Sequence, residues 1–350
     1  MTMHWPEILV RSAPTWFQFM GSRYDTCVQI VNGTRVPGAV PIDNTALLVA
    51  VPALSKALHI SVAAAYDLLM GSCLILATLV GALAIRKWDI RIVLYFFTAV
   101  GLTALASDAY AFQAFPAIAG IPWLIRFSSD WKRFAVTAIL VAFAAGICDL
   151  MRYRAAAPYV AMLLAMAFIY FSKSRAVMLA LVVLLASYFP GAWFYRYYPL
   201  SHPMWHNIYI GLGWVHNSEV PEYLDEVGGN KVRSIDPKVV YCGSEYEAIL
   251  RREVFRIARE KPWIIAVNVV GKLTTIVLML AIILFPVRKS FRLKSPAEIP
   301  IVIAITLGML PGLLVTPNFR YVLAGLCFAL LFGIRAAFHG RVQEAVAVAA

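Results

Sequence analysis

Charged residues are scarce in this sequence. They make up 14% of its 350 residues, and hydrophobic residues make up 61%, whereas soluble proteins carry about 25% charged residues. This deficit excludes a soluble globular protein of the same length and indicates an all-α, polytopic helical membrane protein. The formal net charge of +12 would suggest a nucleic-acid partner in a soluble chain. Here the basic residues cluster between apolar runs, so we attribute them to membrane topology and expect no nucleic acid.

Several chemical signatures are also missing. The five cysteines are scattered along the chain, so they define neither a disulfide framework nor a metal-ligand spacing. No nucleophile elbow, phosphate-binding glycine loop or nucleotide fingerprint is present. Residues 1–24 contain Pro6 and Pro14 and no continuous apolar core, so we expect no cleavable signal peptide. Candidate functional residues are therefore sought among polar groups placed against the membrane.

Long apolar runs dominate the chain from residue 60 onwards. A membrane-spanning helix needs about 20 apolar residues. Nine segments approach that length, namely 60–85, 90–107, 111–127, 134–150, 155–171, 176–195, 263–287, 297–315 and 321–338. The third carries Pro116 and Pro122 and is predicted to be kinked or re-entrant. Thr45–Leu58 is apolar but short, so interfacial helices are expected before the first span.

The sequence therefore predicts about nine transmembrane helices, interfacial helices and one long external loop. In chain order these form an external amino-terminal segment (1–59), helices one to six (60–195), the loop with an amphipathic helix (196–262), and helices seven to nine with a cytoplasmic tail (263–350).

Basic residues mark the orientation of the predicted helices. They cluster in alternate loops, at Arg86, Lys87 and Arg91, at Arg126, Lys132 and Arg133, at Lys173 and Arg175, at Arg288, Lys289, Arg292 and Lys294, and at Arg335 and Arg341. All these loops fall on one side if the helices alternate in direction, and the positive-inside rule makes that side cytoplasmic. We therefore expect a multi-pass protein of the bacterial inner (cytoplasmic) membrane with its long loop in the periplasm.

The long loop contains a predicted amphipathic helix. Ser244-Glu245-Tyr246-Glu247 has the pattern of a capping box, in which a hydroxyl and a carboxylate satisfy early backbone amides. Apolar residues then recur at helical spacing opposite four arginines, until Pro262 ends the helix. The apolar residues are Ile249, Leu250, Val254, Ile257 and Ala258, and the arginines are Arg251, Arg252, Arg256 and Arg259. The basic face suits either one lipid phosphate or, more simply, the anionic headgroups of the membrane surface.

Ionisable residues at membrane depth are costly and are often functional. Lys272 lies roughly 14 Å along its helix from Trp263, at about 1.5 Å per residue, and Asn268 shares its face. Lys272 is suited to neutralise a lipid-linked phosphate, and the alternative is a lysine that snorkels outward or pairs with another helix. Asp108 lies at an outer turn beside Tyr110, where a carboxylate acts either as a general base or as a helix cap.

Two arginines lie in another outer turn, Cys148-Asp149-Leu150-Met151-Arg152-Tyr153-Arg154. The planar guanidinium groups of Arg152 and Arg154 suit bidentate phosphate binding. A salt bridge with Asp149 is the structural alternative. Arg320 and Tyr321 begin the last predicted span and add a third outer arginine to the candidates.

His202 and His206 stand four residues apart, which is a metal-ligand spacing on a helix. Pro203 and the glycines at 211 and 213 argue against a regular helix there, so we favour substrate binding, with a sugar stacked on Trp205 or Tyr209. A packed group of aromatic residues is the structural alternative.

This layout resembles the GT-C superfamily of membrane glycosyltransferases, which use polyprenyl-phosphate sugars. The similarity covers most of the chain. It rests on an acidic external segment before a span, an acid in the next outer turn (Ser107-Asp108-Ala109-Tyr110), a later external loop, and Asn318-Phe319-Arg320-Tyr321 opening a late span. The first-loop acid of the family is similar in place to Asp25, whose spacing to Gly33 departs from the family pattern. Asp25 and Asp108 are therefore both candidates for the catalytic base.

The resemblance implies inverting transfer of a sugar from a polyprenyl-phosphate donor to a glycan, lipid or protein acceptor. A carboxylate would activate the acceptor while Lys272 and the arginines stabilise the departing phosphate. The resemblance implies no particular cofactor and leaves open whether a divalent metal is required. The alternatives are a glycan polymerase or ligase and a lipid or solute transporter. A transporter is less favoured because we find no internal repeat, and the asymmetric loop indicates a one-sided site.

Overall fold

The computed structural model of the protein describes residues 45–85, 88–106, 109–152, 154–194, 196, 203–239, 243–285 and 298–349. Within these ranges all regular secondary structure is helical. The predictions for residues 1–44, which include Asp25, and those for Asp108 and His202 fall outside the described residues.

The helices follow one another with short connections. They are α1 (Thr45–Leu58), α2 (Val62–Ala84), α3 (Ile90–Ala106), α4 (Phe115–Arg126), α5 (Trp131–Met151), α6 (Ala157–Tyr170), α7 (Lys173–Phe194), α8 (Met204–Gly211), α9 (Asp225–Ile235), α10 (Ser244–Glu260), α11 (Pro262–Leu284), α12 (Ile299–Leu314) and α13 (Phe319–Ala349). Short 3₁₀ helices occupy Ala109–Gln113, before α4, and Leu212–Trp214, after α8.

Each of the nine predicted apolar segments contains a helix, α2 to α7 and α11 to α13. Four of these, α2, α5, α7 and α11, are long and apolar enough to cross a membrane, and α3, α6 and α12 are shorter apolar helices. The third predicted segment is divided between a 3₁₀ helix and the 12-residue α4, with Pro116 in its first turn and Pro122 inside it. The structure is therefore that of an all-helical protein compatible with a membrane.

The outer surface of the bundle is apolar. Leu83 is 72% exposed, Leu140 62% and Ile282 75%, although leucine and isoleucine are among the most buried residues of soluble proteins. Lipid tails solvate such side chains as well as a protein interior does, and helices satisfy their own backbone groups in lipid. The exposed apolar faces thus fit a bilayer environment.

Small residues bring several helices into close contact. A Cβ atom added at Gly308 of α12 would lie 2.5 Å from the backbone nitrogen of Gly325 in α13. A Cβ at Gly146 of α5 would lie 2.4 Å from the carbonyl oxygen of Ser187 in α7. Close backbone approach at glycine is a usual means of helix association in membranes.

Arginines collect at one end of the bundle, which we call the basic end. Arg126 of α4 donates to the carbonyl oxygen of Leu83 at the end of α2 (3.3 Å). Arg335 of α13 donates to the hydroxyl of Tyr170 at the end of α6 (3.4 Å). The ring of Phe134 near the start of α5 contacts that of Tyr170, and α5 follows α4 after four residues. The carboxyl ends of α2, α4 and α6 therefore lie together, as expected if successive helices alternate in direction.

The described loop residues, 203–239 and 243–261, fold over the opposite end with a small hydrophobic core of their own. Tyr209, Leu250 and Ile257 are buried in it, and α8 packs against α9 and α10. The apolar face predicted for α10 is thus buried against other helices of the loop and α11. Ala258 was predicted to belong to this face, but it is exposed.

The predicted capping box of α10 is wrong. Gly243 is the N-cap residue and Ser244 is the first residue of the helix. The carboxylate of Glu247 instead accepts hydrogen bonds from the backbone N–H groups of Trp205 (2.6 Å) and His206 (3.1 Å). Glu247 therefore satisfies the amino terminus of α8 rather than that of its own helix.

The helix predicted before the first span is present as α1. Its Leu47 and Val51 side chains are fully buried, and the helix packs against α2 and α5. Its length predicted a helix that lies on the membrane surface. In the structure it also packs against other helices of the protein.

Candidate functional site

A cluster of three tyrosines and one arginine joins four turns at the end of the bundle opposite the basic end. The rings of Tyr110 and Tyr321 lie 4.7 Å apart between centroids, and the hydroxyls of Tyr321 and Tyr223 are 2.9 Å apart. The Arg152 guanidinium carbon lies 4.0 Å from the centroid of the Tyr110 ring. We call these four residues the tyrosine cluster.

Each member of the tyrosine cluster belongs to a different element. Tyr110 lies in the 3₁₀ helix after α3, and Arg152 follows the last residue of α5. Tyr321 lies in the first turn of α13, and Tyr223 precedes α9 in the loop. Turns that were predicted to be external from their sequence are therefore in contact with each other.

The chemistry of the tyrosine cluster is that of a neutral aromatic surface carrying one cation. Burial, together with the neighbouring Tyr321 hydroxyl, raises the pKa of Tyr223 well above its usual range. Tyr223 therefore stays protonated at neutral pH and does not serve as a base. Arg152 over the ring of Tyr110 has cation–π geometry, which holds the guanidinium in place.

Asp149 and Arg154 shape the turn between α5 and α6. The Asp149 carboxylate accepts from the backbone N–H of Ala156 (3.1 Å), so it caps the start of α6, and its charge is also attracted by Arg154. Arg154 has a positive φ of 64°, and its guanidinium lies 3.6 Å from the sulfur of Met204 at the start of α8. Arg152 thus contacts the tyrosine cluster, and Arg154 contacts α8 of the loop.

His206 lies in the core of the loop. Its Nδ1 is 2.8 Å from the Tyr246 hydroxyl and its Nε2 is 3.1 Å from the Asp225 carboxylate. The residue is 3% exposed, so a sugar would reach the ring only by displacing one of these partners. Trp205 packs against Phe255, with ring centroids 5.4 Å apart. These contacts match the packed aromatic group that was the structural alternative.

The segment from Met204 to Gly211 is a regular helix, α8, contrary to the expectation from the nearby proline and glycines. Pro203 is its N-cap residue, so the proline precedes the helix instead of interrupting it. His202 lies outside the described residues, so the metal-ligand spacing of the two histidines stays a prediction.

Lys272 is buried inside the bundle beneath the loop. It is 2% exposed and belongs to a buried stripe of α11 that also includes Asn268 and Ile276. Among the described residues, no carboxylate lies at ion-pair distance from Lys272. A buried cation without a counter-ion is costly, so the position is suited to an anionic ligand.

The surroundings of Lys272 connect α11 to the loop and to α12. The Asn268 amide oxygen, one turn earlier, accepts from the backbone N–H of Val215 (3.2 Å). Gly271 faces the Trp214 ring, because an added Cβ would lie 2.8 Å from it. One turn later, Ile276 faces Gly312 near the end of α12. Lys272 therefore lies between the 3₁₀ helix of the loop and the end of α12.

Arg320 is exposed at the start of α13. Its backbone N–H donates to the side-chain oxygen of Asn318 (3.1 Å), which orders the first turn, and its guanidinium lies 6.0 Å from the Phe319 ring centroid. The predicted pair therefore separates: Tyr321 joins the tyrosine cluster, while Arg320 is exposed beside it.

Sequence reasoning missed a partly exposed ion-pair network that holds the loop together. The Glu219 carboxylate pairs with both Arg256 and Lys261, and Arg256 also contacts Glu253 and Glu260. Hydrogen bonds from Lys261 and Arg256 lower the pKa of Glu219 to about 2. Arg256 was one of the arginines predicted to face lipid phosphate or headgroups, but its guanidinium is ion-paired with carboxylates of the loop. No local pattern around Glu219 identifies these partners, which lie 37 and 42 residues away.

Sequence reasoning also passed over Tyr223. Its only signal is an aromatic residue in a polar loop, and its partner Tyr321 lies 98 residues away. Among the described residues, no group of three histidine, cysteine, aspartate or glutamate side chains could hold a metal ion.

Comparison with known proteins adds no relative. No protein family, curated protein or solved structure matches this chain.

Proposed function

We propose that the protein is an integral membrane glycosyltransferase that moves a sugar from a polyprenyl-phosphate donor to an acceptor at the outer face of the membrane. The observation that supports it is Lys272, a buried lysine beneath the loop with no carboxylate partner among the described residues. A phosphate attached to a membrane lipid is an anion that can reach this depth from within the bilayer.

The proposed reaction inverts the configuration of the sugar. An acceptor hydroxyl oxygen attacks the anomeric carbon, and the bond from that carbon to the donor phosphate oxygen breaks, leaving its electron pair on the phosphate. The acceptor proton passes to a carboxylate, for which Asp108 and Asp25 are the candidates. Lys272 and Arg320 stabilise the negative charge that grows on the phosphate.

The tyrosine cluster has a positioning role in this proposal. Arg152 and the hydroxyls of Tyr223 and Tyr321 offer hydrogen bonds beside the start of α13, where Arg320 is exposed. Aromatic faces and hydroxyls suit a sugar, so the donor sugar would lie between this cluster and the loop. Trp205 in the first turn of α8 and the exposed Arg154 beside Met204 are the candidates for acceptor contacts.

The proposed topology has nine crossings of a bacterial inner membrane with the loop in the periplasm. It is supported by the alternating direction of the helices and by the arginines gathered at the basic end. Positive residues are retained on the cytoplasmic side of membranes, so the end that carries Lys272 and the loop faces outward.

Sugar transfer in proteoliposomes tests the proposal. Radiolabelled polyprenyl-phosphate sugars are supplied with lipid and glycan acceptors, and the wild type is compared with Lys272→Met, Arg320→Ala and Asp108→Asn. We expect transfer by the wild type and a loss of about a hundredfold in Lys272→Met, as for removal of one transition-state donor. Thr274→Val, an exposed change on the same helix, is the matched control and should retain full activity.

Three results would overturn the proposal. Transfer in Lys272→Met equal to that of the control would remove the role of the buried lysine. Flux of a lipid or solute without transfer from any common donor would indicate a transporter. Joining of preassembled lipid-linked glycans, without use of a single-sugar donor, would indicate a polymerase or ligase.

A further inference from the structure

An apolar groove runs along the flank of the bundle between α2, α4 and α5. Its volume is about 530 Å³, and its lining includes Val80 and Leu83 of α2, Gly120 and Trp123 of α4, and Leu140 and Val141 of α5. Leu83 and Leu140 are strongly exposed at its edges, so the groove opens toward the surface that we assign to lipid. The site proposed for sugar transfer lies at the other end of these helices.

The floor of the groove is formed by close contact between α4 and α5. A Cβ added at Gly120 would collide with the side chain of Val141. The indole N–H of Trp123 donates to the carbonyl oxygen of Val80 (2.8 Å), which fixes the ring across the gap between α4 and α2. The groove therefore has a rigid floor and one aromatic wall.

Two arginines stand at the basic end of the groove. The Arg126 guanidinium carbon lies 5.0 Å from the ring centroid of Trp123, and Arg126 also donates to the carbonyl oxygen of Leu83, so it touches two lining residues. Its Nε is buried with no hydrogen-bond partner among the described groups. Arg133 lies one turn before the lining residue Thr137, and its Nε is 3.4 Å from the Asp130 carboxylate. Arg126 and Arg133 both approach the Phe127 ring, at 5.6 and 5.5 Å.

We infer that this groove binds one acyl chain of an anionic phospholipid, with the phosphate of that lipid against Arg126 and Arg133. An apolar trough that ends in Arg126, with the Asp130-paired Arg133 beside it, matches a lipid with one charged end, and arginine forms bidentate contacts with phosphate. A lipid without a phosphate would leave the buried Nε of Arg126 unsatisfied, and a net negative headgroup is attracted to the arginines more strongly than a zwitterionic one with the same phosphate. The ligand is a resident lipid of the basic end, distinct from the donor lipid proposed for the opposite end.

Native mass spectrometry of the detergent-purified protein tests the inference. The probes are phosphatidylglycerol and phosphatidylcholine with the same acyl chains. We expect the wild type to retain phosphatidylglycerol in preference to phosphatidylcholine. Arg126→Gln should weaken phosphatidylglycerol binding about tenfold, which corresponds to the loss of one charge-assisted contact. Ala144→Phe, which fills the groove, should weaken the binding of both lipids.

Arg175→Gln is the matched control, because Arg175 belongs to the same end but lies over Trp131, which does not line the groove. Equal losses in Arg126→Gln and Arg175→Gln would overturn the inference, as would unchanged binding in Ala144→Phe. If Arg126→Gln fails to fold, Arg133→Gln gives the same comparison, since the Arg133 side chain is 66% exposed. Displacement of phosphatidylglycerol by equimolar undecaprenyl phosphate, with the same dependence on Arg126, would assign the groove to a substrate lipid and overturn the resident-lipid assignment.

Discussion

Tyr223 and Tyr321 share a hydrogen bond of 2.9 Å between their hydroxyl oxygens, although they are separated by 98 residues in sequence. Tyr223 belongs to the loop and Tyr321 to the first turn of α13. This hydrogen bond therefore links the loop to the helical bundle beside the proposed site.

Removal of the tyrosine bond should loosen the loop. Tyr223→Phe and Tyr321→Phe should each lower the free energy of unfolding by about 1 kcal/mol, the usual net contribution of one hydrogen bond. The double variant should cost less than the sum of the two single changes, because both remove the same bond. Thermal unfolding in detergent measures the losses. Tyr188→Phe, at an exposed tyrosine, should have no effect, and strictly additive losses would contradict the coupling.

Acid should weaken the loop through Glu219. Its pKa is lowered to about 2 in the folded protein by Lys261 and Arg256, against about 4.3 in an unfolded chain. The ion pairs therefore contribute their full stability above the unfolded pKa, and that contribution is lost as the pH falls from about 4.3 toward 2.

Hydrogen exchange of residues 203–261 between pH 7 and pH 3 measures this loss, after correction for the intrinsic rate. Glu219→Gln should reduce protection from hydrogen exchange at pH 7 and should make the loss of protection at acid pH smaller. Glu226→Gln changes an exposed acid of the same loop and should leave the profile intact. If Glu219→Gln lost as much protection at acid pH as the wild type does, Glu219 would not be the group responsible.

Glu247 should stabilise α8 from a distance. Glu247→Ala removes the acceptor of two backbone N–H groups, at Trp205 and His206, and loss of such a cap costs about 1 kcal/mol. Faster hydrogen exchange in residues 204–211 is the expected result. Glu245→Ala on the exposed face of the same helix is the control, and equal exchange in the two variants would show that Glu247 has no capping role.

Replacing a glycine at a helix contact should lower stability, whereas replacing a glycine in open space should raise it. Gly308→Ala places a Cβ against the backbone of Gly325 and should destabilise the protein by about 1–3 kcal/mol through overpacking. Gly71→Ala meets nothing within 4 Å and should stabilise α2 by up to about 1 kcal/mol, because alanine is the better helix former. Thermal unfolding in one detergent compares them, and destabilisation by both would refute the packing argument.

The helices were predictable because lipid imposes a local rule. A chain in a bilayer must satisfy its backbone within each segment, so the length and hydropathy of a run such as residues 263–287 already specify α11. The predicted and observed bounds of α1 coincide at Thr45 and Leu58. Lys272 was identifiable for the same reason, since a charge inside an apolar run is conspicuous.

The loop was less predictable because its contacts are between distant residues. Ser244 and Glu247 have the spacing of a capping box, yet Glu247 bonds to residues about forty positions earlier. The grouping of Tyr110, Arg152, Tyr223 and Tyr321 depends on how four turns meet, which no periodicity encodes. His206 was expected to bind substrate, and only the folded arrangement shows Tyr246 and Asp225 around its ring.

The helices α6 and α12 pack side by side and have 14 and 16 residues. At about 1.5 Å per residue they extend roughly 21 and 24 Å, less than the hydrocarbon thickness of about 30 Å. In the proposed topology both helices cross the membrane, and such hydrophobic mismatch is relieved by local thinning of the bilayer. The turns that contain Arg152 and Arg320 would then lie where the bilayer is locally thin, with headgroups and water closer to the midplane. In the proposed reaction the donor lipid would present its phosphate there while its tail stays in the membrane, so sugar transfer in proteoliposomes should depend on bilayer thickness.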